Sequence, residues 1–146
     1  MTVPARLGIV TLGVTDLARS TAFYEALGWE QCSSTQPGVI AWFRTADTHL
    51  GLFPFHELAA DANLPAERAT GFGGITLAIN VDGADEVEPA LAAAVDAGGT
   101  LLKPATLTEW GGTSGYVADP DGYPWEIAHN PFWVLTDDGR TLLGAP

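Results

Sequence analysis

The stretch Gly115-Tyr-Val-Ala-Asp-Pro-Asp-Gly-Tyr-Pro-Trp-Glu-Ile-Ala-His129 decides how this chain is read. It predicts two short strands joined by a tight turn. Asp119-Pro120-Asp121-Gly122 is turn chemistry: proline presets φ, aspartate bonds its local backbone, and glycine accepts positive φ. Tyr116 and Val117 before the turn, and Trp125 and Ile127 after it, are strand formers. One carboxylate, Glu126, falls inside the second strand. A charge there is uncommon unless its face meets water, a metal or a ligand. The segment is therefore both a fold signal and a candidate site.

Far upstream, Gly8 to Val14 alternates with period two. Val10, Leu12 and Val14 share one face, and Ile9, Thr11 and Gly13 the other, which predicts a strand. Asp16 is placed to cap a helix over Leu17 to Leu27, and Gly28 to end it. Three short strands are expected at Trp29 to Ser33, Val39 to Arg44 and Leu50 to Phe53. Residues 54–72 read as a linker, with one helical turn around Glu57 to Ala62.

Then the pattern restarts. Ile75-Thr-Leu-Ala-Ile79 echoes Val10-Thr-Leu-Gly-Val14, and an amphipathic helix is expected over Asp85 to Ala97. Its first turn carries Asp85, Glu86 and Glu88, which suit the positive end of the helix dipole. Strands at Thr100 to Lys103, Gly115 to Ala118 and Pro124 to Ala128 complete the second half. The layout is strand, helix, three strands, twice over. Such a repeat sets the fold class as α+β, in a single domain spanning residues 1–146. Module one covers about residues 7–53, module two about 73–131, and a tail 132–146 should dock on the surface or on a partner.

Composition narrows the function. The chain is 47% hydrophobic and can bury a core, yet no apolar run approaches membrane-spanning length. Six Lys and Arg against a net charge of −12 argue against nucleic acid and anionic membranes. The start lacks the pattern of a signal peptide, and the single cysteine, Cys32, allows no intrachain disulfide; both fit a cytoplasmic protein. There is no CxxC pair, no phosphate loop and no Ser-His-Asp arrangement.

Two stretches carry a resemblance: Val10-Thr-Leu-Gly-Val-Thr-Asp-Leu-Ala-Arg-Ser-Thr-Ala-Phe-Tyr-Glu-Ala-Leu-Gly-Trp29 and Gly111-Gly-Thr-Ser-Gly-Tyr-Val-Ala-Asp-Pro-Asp-Gly-Tyr-Pro-Trp-Glu126. The chain resembles the vicinal oxygen chelate superfamily, which includes glyoxalase I, extradiol dioxygenases, and fosfomycin- and bleomycin-resistance proteins. The resemblance implies two βαβββ modules whose mixed sheet curls around a cleft, commonly in a homodimer. Its enzymes hold one divalent metal with His, Gln or Glu from four strands. Those positions fall here on Ile9, near Gly51, on Gly74 or Thr76, and on Glu126. Only Glu126 is a suitable ligand, and one carboxylate does not hold such an ion against water. The histidines lie outside the usual ligand positions. His49 and His56 flank the Leu50 to Phe53 strand, and alternation turns His129 away from the face of Glu126.

What remains is a cleft rich in aromatic candidates. The expected ligand-contacting set is Trp42, Phe53, Phe55, His56, Trp110, Tyr116 and Glu126, whereas Trp29 and Trp125 are assigned to the core. The expectation is a metal-free small-molecule binding protein without cofactor, like the bleomycin-resistance group, taking an aromatic, cationic compound and serving antibiotic resistance. Two alternatives stand beside it. One is a glyoxalase-like or dioxygenase-like metalloenzyme with a single divalent ion on an atypical site built from Glu126 and one or more of the histidines. The other is a metal-independent enzyme with Glu126 as general base.

Overall fold

Local capping starts the fold where the sequence places it. The Asp16 carboxylate accepts from the Arg19 amide at 3.0 Å and opens helix α1, Leu17–Ala26. Gly28, at φ 84°, lets the chain turn out of that helix, a conformation costly for any residue with a Cβ. These features come from a computed structural model that describes residues 1–144. The last two residues of the expected tail, Ala145 and Pro146, lie outside the described residues.

Module one contains strand β1, Ile9–Val14, then α1, then β2, Ala41–Arg44, and β3, His49–Pro54. Its three-stranded sheet has the order β1-β3-β2, with β1 parallel and β2 antiparallel to β3. The strand expected at Trp29 to Ser33 is reduced to one bridge, Gln31 to Phe43. The chain there is held instead by single bonds: the Cys32 amide to the Trp42 carbonyl at 2.7 Å, and the Arg44 amide to the Glu30 carbonyl at 3.3 Å. The linker holds a real helix, α2, Phe55–Asp61, longer than the single turn expected.

Module two runs β4, Leu77–Asn80; a short 3-10 turn, Ala84–Glu86; α3, Val87–Asp96; β5, Thr100–Leu107; β6, Thr113–Ala118; and β7, Pro124–His129. Its four-stranded sheet has the order β4-β7-β6-β5, with β4 parallel to β7 and the other pairs antiparallel. The chain is thus α+β, with two mixed sheets. The tail adds a small hairpin of β8, Val134–Leu135, and β9, Thr141–Leu142.

Alternation decides which face of each sheet is covered. Leu12, Val14, Phe43, Leu50 and Leu52 join Phe23 and Tyr24 of α1 in the core. Leu91 of α3 joins Val117, Trp125 and Ile127 of the second sheet in the same core. Burying each such side chain stabilises the fold by roughly 1.5–3 kcal/mol. Trp29 packs edge-on to Trp125, with ring centroids 5.6 Å apart.

The turn between β6 and β7 clamps the modules together. Gly122, at φ 91°, closes it by donating its amide to the Asp119 carbonyl at 2.9 Å. Asp121, its side chain fully enclosed, accepts from the Thr15 amide and the Ser20 hydroxyl, each at 2.7 Å. The guanidinium of Arg68 lies 3.3 Å from the same carboxylate, and that of Arg19 lies 3.8 Å away. The Tyr123 hydroxyl donates to the Gly13 carbonyl at 2.8 Å. Residues read as local turn chemistry therefore make the contact that holds module two against module one.

Candidate functional site

Glu126 sits on β7 directly across from Tyr116 of β6 and Ala78 of β4. Its neighbours Trp125 and Ile127 are buried against the helices, so alternation turns Glu126 to the open face of the sheet. Tyr116 is in turn the register partner of Lys103 on β5. Desolvation first, and then the charge and hydrogen-bonding of Glu126, push the Tyr116 phenol above the ordinary tyrosine range. A hydrogen bond with Thr76 works the other way. Thr76, Tyr116 and Glu126 thus form one polar group on this sheet. Gly74, the other position considered with Thr76, lies before β4 at φ 87° and brings no side chain.

The matching face of module one carries Ile9, Thr11 and Gly13 on β1. Their register partners on β3 are His49, Gly51 and Phe53, while Trp42 and Arg44 of β2 pair with Gly51 and His49. The Trp42 ring lies across Gly51. A Cβ added there would meet the ring at 2.5 Å and the Thr11 hydroxyl at 3.0 Å. Trp42 therefore occupies the space a ligating side chain at Gly51 would need. His49 belongs to β3 itself, one residue earlier than the strand start expected from the sequence.

The remaining candidates separate. Phe55 and His56 open α2, within the stretch read as a linker. Phe55 packs over Gly13, under the Arg68 guanidinium at 4.2 Å from its ring centroid, and lines a cavity of about 370 Å³ with Leu58, Ile75 and Tyr123. Trp110 lies in the loop between β5 and β6, partly exposed, with its ring against Gly112. Tyr116 and Glu126 are brought together, and Trp42 and Phe53 share the other module's sheet. Of the seven, Phe55 lines the 370 Å³ cavity.

The donor set does not fit a divalent ion. Among the described residues no group of three His, Cys, Asp or Glu is placed to hold one. A second copy of the chain would again bring Ile9 and Gly51, so pairing with itself supplies no missing donor at those positions. No helix is long and apolar enough to cross a membrane among the described residues.

Sequence reasoning missed the reach of Asp119 and Asp121, because turn chemistry alone explains both residues. The Asp119 carboxylate is buried; it accepts from the Asp121 and Tyr123 amides at 3.0 and 2.9 Å and from the Tyr24 hydroxyl at 2.7 Å. Burial still raises this acid above the usual aspartate value.

Comparison with known proteins agrees with this architecture. Residues 6–127 match the sequence profile of the Glyoxalase/Bleomycin resistance protein/Dioxygenase superfamily. A glyoxalase-related enzyme from Fulvimarina pelagi is 36% identical and superimposes with a TM-score of 0.87, over 97% of this chain and 100% of that one. A lactoylglutathione lyase from Agrobacterium tumefaciens is 26% identical, with a TM-score of 0.65 over 87% of this chain and 95% of that one. A family enzyme from Burkholderia phytofirmans PsJN, at 23% identity and a TM-score of 0.77, covers 86% of this chain and 98% of its own. That last likeness is one of fold. No curated protein matches the chain. The chain belongs to the glyoxalase/bleomycin resistance protein/dioxygenase superfamily.

Proposed function

We propose that this protein binds a small molecule without a metal ion, in the manner of the bleomycin-resistance members of its superfamily. The observation that carries the reading is the state of Glu126. It stands on an open sheet face beside a phenol and a threonine hydroxyl, with no partner set that would make it a metal ligand. A lone carboxylate among aromatic groups suits a flat cationic guest: the acid supplies the counter-charge, and ring faces supply stacking and cation–π contact. Trp42, Phe53, Trp110 and Tyr116 are the rings available to it, with Phe55 and His56 at the margin.

A homodimer is part of this proposal. Edge strand β5 leaves Leu101, Leu102 and Leu107 exposed, and Ile9 and Ile75 are at least half exposed. A second copy laid over these residues would cover them and bring the module-one face of one chain to Glu126 of the other. Such a protein would act in the cytoplasm by sequestering a toxic natural product, which is antibiotic resistance by binding.

The test is quenching of tryptophan fluorescence during titration with planar cationic aromatic antibiotics, paired with light scattering for the dimer. Saturable quenching is expected, weakened about tenfold by Glu126→Gln as a charge-assisted contact is lost. Absence of quenching with every compound, together with turnover of a hemithioacetal or a catechol, would overturn the reading.

A further inference from the structure

A cavity of about 620 Å³ opens between the modules, away from Glu126. Val10 and Leu50 of module one, Leu77, Ile79 and Trp125 of module two, and Trp29 line its apolar part. That volume falls within the range of small-molecule clefts, and an apolar lining with a few polar groups is their usual character.

Its rim is chemically uneven. Arg44 and His49 are register partners across β2 and β3, and both line the cavity. Neither has a side-chain hydrogen bond or ionic partner among the described residues. The other arginines that form ion pairs are committed elsewhere, Arg19 and Arg68 to Asp121 and Arg140 to Asp138 and Asp47. Of the acids on the same rim, Asp47 faces Arg140 at 3.9 Å, and Glu30 is exposed to water. Thr48, in the turn just before His49, also lines the cavity. Its hydroxyl oxygen is buried and has no hydrogen-bond partner among the described residues, an arrangement that native structures rarely leave unexplained.

The tail closes the other side. The Asn80 side-chain amide donates to the Thr141 hydroxyl at 3.4 Å, tying the hairpin to β4. Arg140 reaches Asp47 in the turn between β2 and β3. Gly139 and Thr141 line the cavity themselves, so the hairpin spans its mouth from one module to the other.

We propose that this cavity is a binding site for an amphipathic aromatic anion, separate from the Glu126 site. The ring would lie against Trp29, Trp125 and the aliphatic lining. The carboxylate would take Arg44 and His49 as charge partners. The C-terminal hairpin straps the mouth. The site does not depend on the reading of Glu126.

The test uses the full chain and three probes of one shape: 2-naphthoate, 2-naphthylmethanol and 2-naphthylmethylamine. Binding is followed by calorimetry and by amide and indole NMR shifts. Saturable binding of 2-naphthoate is expected, with the largest shifts at the Trp29 and Trp125 indoles and at Thr48. Arg44→Gln, at an exposed position, should weaken it about tenfold while leaving 2-naphthylmethanol unchanged. Glu126→Gln should not affect it. A cationic probe that binds as well as the anion, shifts centred on Tyr116 and Trp42, or no saturable binding of 2-naphthoate would each overturn the proposal. Loss of 2-naphthoate binding in Glu126→Gln would also overturn it, by merging the two sites.

Discussion

The Tyr24 hydroxyl donates a 2.7 Å hydrogen bond to the Asp119 carboxylate, joining a helix of module one to the turn of module two across 95 residues of chain. The Trp125 indole completes the chain by donating to the Tyr24 oxygen at 3.1 Å. Burial first, and the Asp119 charge next, hold the Tyr24 phenol far above the ordinary tyrosine range, so it remains a donor at any physiological pH. Tyr24→Phe keeps the ring and its packing against Phe23, Trp29, Phe43 and Trp125 but leaves one oxygen of a buried acid without its donor. The expected cost is about 1–3 kcal/mol, read as a lower denaturant midpoint at unchanged slope. A midpoint equal to that of the parent protein would contradict it.

Asp119 should titrate above the ordinary aspartate value of 3.8, because burial outweighs the three hydrogen bonds it accepts. The folded state then holds this proton more tightly than the unfolded chain does. Its contribution to stability is complete below the unfolded value and is lost as pH rises through the folded one. Carboxyl-carbon NMR across the acid range measures the midpoint directly. A midpoint at or below 3.8 would show that the hydrogen bonds win instead.

Asp121→Ala should destabilise more than an ordinary surface change. It leaves the Thr15 amide and the Ser20 hydroxyl without their acceptor and removes the anion between Arg19 and Arg68. A loss of about 2–3 kcal/mol is expected, with Asp121→Asn recovering only part of it. Added salt should shrink the loss only slightly, because the uncharged Thr15 and Ser20 donors carry most of it and the partly exposed arginines contribute little that salt can screen. A loss below about 0.5 kcal/mol, the scale of ordinary surface substitutions, would remove the clamp from this account.

Gly51→Ala should destabilise through the Trp42 ring, which stands 2.5 Å from the new Cβ position. Overpacking of this kind costs about 1–3 kcal/mol. In the Gly51→Ala, Trp42→Ala pair the two changes should couple, the double variant being more stable than the sum of the singles implies. Simple additivity in thermal melts would mean that the ring does not rest on Gly51.

Much of the fold was legible because its signals are local. Asp16, Gly28 and Gly122 announce a cap, a helix end and a turn, and period-two alternation marks Ile9–Val14 and Pro124–His129 as strands. Trp29 to Ser33 misled because its apolar start packs into the core through Trp29, while its polar remainder finds only one bridging partner. The helical turn expected around Glu57 starts earlier than read: Pro54 ends the strand, and the chain turns straight into a helix at Phe55 that Glu57 favours near its start. At the site, Glu126 stood out by residue type alone, as a carboxylate inside a strand. Its pairing with Tyr116 needed the register of two strands, and the cavity beneath the hairpin needed three segments distant in sequence. Side-chain reach, as at Asp121, is invisible to any local pattern.

Whether Glu126 stands alone is decided by the metal content of untagged protein, measured by mass spectrometry and paired with thermal melting. The melts are run with EDTA and with added Ni²⁺, Zn²⁺, Mn²⁺ and Fe²⁺. If Glu126 stands without co-ligands, the protein carries far less than one metal per chain, and its melting temperature does not change with chelator or ion. Near-stoichiometric metal, or a melting temperature that one ion raises strongly, would contradict the account and make Glu126 part of a metal centre.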